Sequence, residues 1–155
     1  MLVIKKINRF FWVFLILLIP LKTIANEKLN FLSLKNSEVN LRQGPSFEYP
    51  IKLAYKKKHL PVLVLGVSEA WRKIKDFENN SGWIHVSQLT RKKSAINTKN
   101  HSLLYKKPTI YSKPIARLER GRLVLIQKCK LKWCKVGSEN FVGWMIKDSL
   151  WGFVN

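Results

Sequence analysis

The sequence predicts an all-β protein, two small barrels in tandem behind an N-terminal export signal. Three observations carry this. One residue pattern occurs twice, about 61 residues apart. No stretch beyond residue 25 shows a convincing helical period, whereas short β-rich runs alternate with turn formers. The first 25 residues combine a basic start, an apolar run and a small-residue cleavage site. Composition agrees: 29 Lys+Arg against 9 Asp+Glu give a charge of +20 over 155 residues, yet 46% of the chain is apolar, which excludes a disordered polyelectrolyte. The length suits one ordinary domain or two very small ones.

In the export signal, Lys5, Lys6 and Arg9 precede an unbroken apolar run from Phe10 to Ile19, ended by Pro20. Thr23-Ile24-Ala25 puts small residues at the −3 and −1 positions, so cleavage is expected after Ala25. The run falls short of the roughly 20 residues that span a bilayer, although an uncleaved anchor is the alternative. Removing residues 1–25 lowers the net charge to +16 and sends the mature chain to the periplasm or the exterior.

The repeat is carried by Trp71-Arg72-Lys73-Ile74, Gly82-Trp83-Ile84 and Leu89 in the first copy. Trp133-Cys134-Lys135-Val136, Gly143-Trp144-Met145 and Leu150 carry it in the second. An apolar run precedes each, Val62 to Leu65 and Leu123 to Ile126. Glu78-Asn79-Asn80-Ser81 and Gly137-Ser138-Glu139-Asn140 supply the hairpin turns. Each copy reads as about five short strands. The polar stretch 91–100 reads as a linker, so the expected boundaries are 1–25 for the signal, 30–90 for the first barrel and 101–155 for a divergent second.

Val39-Asn40-Leu41-Arg42-Gln43-Gly44-Pro45-Ser46, then Tyr49-Pro50 and the later Gly82-Trp83, resembles the bacterial SH3-like domain. The second copy keeps the later half of that pattern, with Leu103-Leu104-Tyr105-Lys106-Lys107-Pro108 in place of the first. Cys129 to Cys134 and Asp148-Ser149-Leu150-Trp151-Gly152 resemble exported double-SH3-like proteins of Gram-negative bacteria. The resemblance implies SH3-like barrels. It says little of function, because such barrels host many unrelated partners. It also implies that Trp71 stands where SH3 domains place the tryptophan of their ligand groove. Trp83 and His85 then stand where that groove has a tyrosine and a proline.

Strand parity sorts the aromatics. With Ile74 and Ile84 pointing inward, Trp71, Trp83 and His85 share the opposite face and are the candidate binding surface of the first copy. Arg42 and Tyr49 are added from the facing loop, although Gly44, Pro45 and Arg42 also read as plain turn chemistry, with Arg42 fixing the turn. By the same parity Trp133, Trp144 and Ile146 lie outside in the second copy, with Val136 and Met145 inside. The alternative for all these rings is that they cap a core too small to hide them.

Cys129 and Cys134 flank a short hairpin, and export puts them in an oxidising compartment, so a structural disulfide facing the core is expected. A redox site would call for C-x-x-C at a helix start. His59, His85 and His101 have no metal-ligand spacing, and no nucleophile–base set, paired carboxylates or phosphate loop can be identified, so neither an enzyme nor a cofactor is expected. Bacterial SH3-like modules often accompany a Cys-His peptidase domain, which these residues do not supply. The expectation is a non-catalytic exported module that docks cell-wall peptide or glycan, or an envelope protein. Two alternatives stand beside it. One is a basic surface, with Lys56, Lys57 and Lys58, for anionic polymers or lipids. The other is a regulatory or structural partner of a separate cell-wall enzyme. Nucleic acid is not an expected partner of an exported protein.

Overall fold

A computed structural model describes residues 30–154; the expected export signal and the expected cleavage after Ala25 lie outside them. The described chain is all-β. The first barrel runs β1 (Phe31–Leu34), β2 (Val39–Arg42), β3 (Ile51–Tyr55), β4 (Pro61–Ser68), β5 (Trp71–Lys75), β6 (Ser81–His85) and β7 (Leu89–Thr90). The second runs β8 (Ser94–Asn97), β9 (Ser102–Tyr105), β10 (Pro114–Leu118), β11 (Leu123–Lys130), β12 (Trp133–Ser138), β13 (Phe141–Ile146) and β14 (Leu150–Gly152). Each is a seven-stranded antiparallel sheet. The orders are β3-β2-β6-β5-β4-β1-β7 and β10-β9-β13-β12-β11-β8-β14, the same topology twice. A single 3-10 turn leads into each last strand, at Val86–Gln88 and Lys147–Ser149.

The seven strands exceed the expected five because β1, β7, β8 and β14 are short. The segment expected as a linker holds one of them. All four residues of β8 are buried, and they pair with β11 and β14 as β1 pairs with β4 and β7. Its polar ends hid it from hydropathy. The Asn97 side-chain amide donates to the Leu118, Glu119 and Lys99 carbonyls and its oxygen accepts from Ser102, so a buried amide is fully used. The connection between barrels therefore shrinks to Arg91–Lys93.

The barrels also touch. Ser33 donates to the Lys92 carbonyl, and its hydroxyl meets that of Ser94 at 2.7 Å. Phe31 packs edge-on against Trp151 at 5.0 Å, Phe77 lies 5.9 Å from Trp151, and Arg120 sits over Phe77. A cleft of about 610 Å³ opens beside this seam, with Tyr55, Lys57, Phe77, Ile96 and Arg120 in its walls.

Each barrel has its own core. Leu34, Leu41, Val62, Ile74 and Ile84 fill the first, and Leu104, Val124, Cys134, Val136 and Met145 the second. Closure depends on a glycine in each. β2 meets β6 at one pair, Arg42 with Trp83, and β9 meets β13 at Tyr105 with Trp144. A Cβ at Gly82 would lie 2.6 Å from the Arg42 carbonyl oxygen, and one at Gly143 2.7 Å from that of Tyr105. Any larger residue would push the crossing strands apart.

Two staples differ between the copies. In the first, the buried Asp76 carboxylate accepts from the Glu78 and Asn80 backbone amides, the Asn80 side chain and the Tyr55 hydroxyl, pinning the β5–β6 turn. Burial and the adjacent Asp76 charge push the Tyr55 phenol well above its usual range, so it remains a donor. Ser138 stands in the place of Asp76 in the second copy. There the β11–β12 hairpin carries the Cys129–Cys134 disulfide across directly paired residues, Cα atoms 4.0 Å apart, with Cys134 fully buried as expected. Val67 and Arg72 occupy that rung in the first copy.

The bridge closes a short loop, so by the chain-closure relation it stabilises by only about 2 kcal/mol. Non-reducing peptide mapping should join Cys129 to Cys134, and the Cys129→Ala/Cys134→Ala variant should lose about that much in urea unfolding. Two free thiols in protein taken from cells would contradict this staple.

Candidate functional site: the outer aromatic faces

β5 and β6 pair Trp71 with His85 and Lys73 with Trp83, so these side chains share the outer face as parity requires, while Ile74 and Ile84 are fully buried. Trp71 is nevertheless only 7% exposed. Direction was legible and exposure was not, because Phe47 swings over from the β2–β3 loop. Its ring meets Trp71 at 4.9 Å and His85 at 5.3 Å, and Trp71 meets His85 at 5.2 Å. Trp71 is thus the floor of the face and Phe47, 61% exposed, its outer surface. The expected three-membered surface of Trp71, Trp83 and His85 is corrected accordingly. Trp83 is half-buried, one rung away, beside Arg42.

Arg42 holds the loop in place. Its Nη1 donates to the carbonyls of Phe47 at 2.9 Å and Tyr49 at 2.7 Å, and its guanidinium lies 5.7 Å from the Phe47 ring centroid. A charge-assisted bond to each carbonyl plus the cation–π contact makes it a turn-fixing residue. Tyr49 is 48% exposed, with its ring against Gly44. His85 accepts the Ser87 backbone amide on Nδ1, which fixes the ring at the strand end. Phe47 escaped the sequence reading because it lies in a loop, where alternation does not apply. Its place directly after Pro45-Ser46 was the available signal.

The second copy keeps the loop although the motif is lost. Lys106 donates to the Lys113 carbonyl as Gln43 does to Pro50, and the Tyr111 amide donates to the Thr109 hydroxyl as Glu48 does to Ser46. Tyr105 replaces Arg42, Ile110 replaces Phe47 and Ile146 replaces His85 opposite Trp133. Tyr105 meets Trp133 edge-on at 5.6 Å, and Lys128 lies over Trp144. Trp133 stays half-buried, beside a hollow of about 300 Å³ lined by Pro108, Thr109, Ile110, Lys132, Trp133 and Ile146.

Among the described residues, the remaining histidines are His59 and His101. His59 has a left-handed backbone, donates its amide to the Leu34 carbonyl and has its pKa lowered by burial and by Lys58 and Lys92. It is a turn residue. His101 faces Glu119 at 3.3 Å on the surface.

The geometry separates two tryptophan-face substitutions. Trp71→Ala should destabilise by about 3 kcal/mol, as for a buried aromatic. Phe47→Ala should cost about 1 kcal/mol, the loss of exposed ring contacts, and leave the barrel folded. Equal losses in urea unfolding would contradict the floor-and-roof arrangement.

A family model described as the bacterial SH3 domain matches twice, at residues 35–90 and 98–152. Among solved structures, NlpC2 and NlpC1 from Trichomonas vaginalis are similar at 13% and 12% identity, with TM-scores of 0.36 and 0.37. The matches cover 80% and 81% of this chain and 48% and 46% of theirs, so it spans about half their length. A search of curated proteins found no match. With both repeats matched over most of their length, the chain belongs to the bacterial SH3 domain family.

Proposed function

We propose that this protein is an exported, non-catalytic docking module that holds cell-wall peptide or glycan, or an envelope protein, on the outer aromatic face of its first barrel. Bacterial SH3 domains are binding modules, and the chain has two. The observation that carries the finer reading is Phe47. It is a large ring 61% exposed on a loop that Arg42 fixes, backed by Trp71 and His85. Such a ring is pre-organised for contact: its position costs little further entropy on binding, and its backing lets it bear on a ligand without yielding. Tyr49 and the exposed edge of Trp83 extend the surface on the Arg42 side. The export signal supports a periplasmic or secreted location, where wall polymers and envelope proteins are the available partners.

A second reading rests on charge. Lys56, Lys57 and Lys58 stand exposed in sequence after β3, and Lys57 lines two hollows that each take residues from both barrels. That arrangement favours an anionic polymer or lipid surface.

Salt and two variants separate these readings. Solubilised wall fragments and anionic lipid vesicles are titrated against wild type, Phe47→Ala and a Lys56/Lys57/Lys58→Ser variant at low and high salt. A contact ring should show as a loss of about tenfold in fragment affinity for Phe47→Ala at both salts. Unchanged fragment binding by Phe47→Ala, together with a salt-sensitive loss in the lysine variant, would favour the charge reading instead.

A further inference from the structure

We infer that the second barrel carries a separate trough for an acidic, extended peptide segment with one large apolar side chain, anchored on Trp133. This rests on the reading of the protein as a docking module but places the ligand elsewhere. The two faces are built on the same strands and loop, and they differ in what covers the tryptophan. Phe47 and His85 roof Trp71, whereas Ile110 and Ile146 leave an open hollow of about 300 Å³ beside Trp133.

The walls of that hollow are mostly apolar, from Pro108, Ile110, Trp133 and Ile146. Of the apolar residues that line it, Ile110 is 58% exposed and Ile146 38%. Exposed apolar side chains are ordinary when scattered; gathered around one concavity they mark a contact surface. Ile146 also lines a second hollow of about 280 Å³, together with Lys99, His101, Tyr105 and Ser149. Two hollows that meet at one side chain suit an extended chain better than a compact ligand.

Charge decides the chemistry of that chain. Among the described residues no carboxylate lines either hollow, while Lys132 lines the first and Lys99 the second. Lys106 and Lys107, both exposed, precede Pro108 in the β9–β10 loop. A polymer of charge alone would leave Ile110, Trp133 and Ile146 uncovered, and a flat membrane would not enter the concavity. An apolar side chain flanked by carboxylates satisfies both features, and a protein segment supplies them together.

The test uses the peptide Glu-Glu-Glu-Leu-Glu-Glu-Glu, capped at both ends, with one control carrying Gly for the leucine and another carrying Lys for every Glu. Each is titrated into the folded protein and followed by the NMR signals of the Trp133 indole N–H and of the Ile110 and Ile146 amides. The leucine peptide should move all three signals and bind about tenfold more tightly than either control. Ile110→Ser, an exposed substitution, should weaken it about tenfold, and Phe47→Ala should leave it unchanged. An unmoved Trp133 signal, or equal binding of the leucine and glycine peptides, overturns the trough. So does a response confined to Phe47, Trp71 and His85, which would leave the first-barrel reading standing. Loss of wall-fragment binding in Phe47→Ala does not bear on Trp133, so the two readings fail separately.

Discussion

The crossing of β2 over β6 at Gly82, repeated by β9 over β13 at Gly143, is the constraint on which the remaining architecture depends. With no Cβ at the crossing, the Arg42 and Tyr105 carbonyls come within contact of the glycine backbone, and Leu41 and Leu104 drop into their cores. The next residue in each strand is a tryptophan, which must then point outward beside Arg42 or Tyr105. The crossing also sets where the chain leaves β2 and β9, at the start of the loop that covers Trp71 in the first copy and leaves Trp133 open in the second. The Gly-Trp pair of the repeat therefore has a divided role: glycine closes the barrel, and tryptophan covers its outside.

On that common frame, three exchanged residues make two different faces. Arg42, Phe47 and His85 produce an occupied face, in which mutual ring contacts bury Trp71 and a ligand must rest on the roof. Tyr105, Ile110 and Ile146 produce an unroofed face, in which a ligand can reach the tryptophan itself. Each aromatic pair is worth about 0.5–1.5 kcal/mol beyond burial, so displacing Phe47 would cost a ligand affinity. No such cost attends Trp133. The seam between the barrels, with Ser33 on Ser94 and Phe31 on Trp151, presents the two faces on one body.

Strand interiors were the most legible part of the sequence. Ile74, Ile84, Val136 and Met145 all lie fully buried where alternation put them, and the paired cysteines followed from hairpin register. Parity fixes a direction but not what lies across from it, which is why Trp71 points outward and is still buried. Phe47 and Ile110 belong to loops without a period. Ser94 and Asn97 are polar and buried, each made tolerable by hydrogen bonds to residues far along the chain, so β8 looked like a tether. Repetition carried the family; the ligand surfaces turn on side chains that meet only after folding.

Backbone hydrogen exchange of the protein, with and without solubilised wall fragments, tests the central claim most directly. The account predicts added protection in the 43–50 loop and at the His85 end of β6, where the ring cluster would be covered. Protection centred on Lys56–Lys58 and the barrel seam, with the 43–50 loop unchanged, would contradict it.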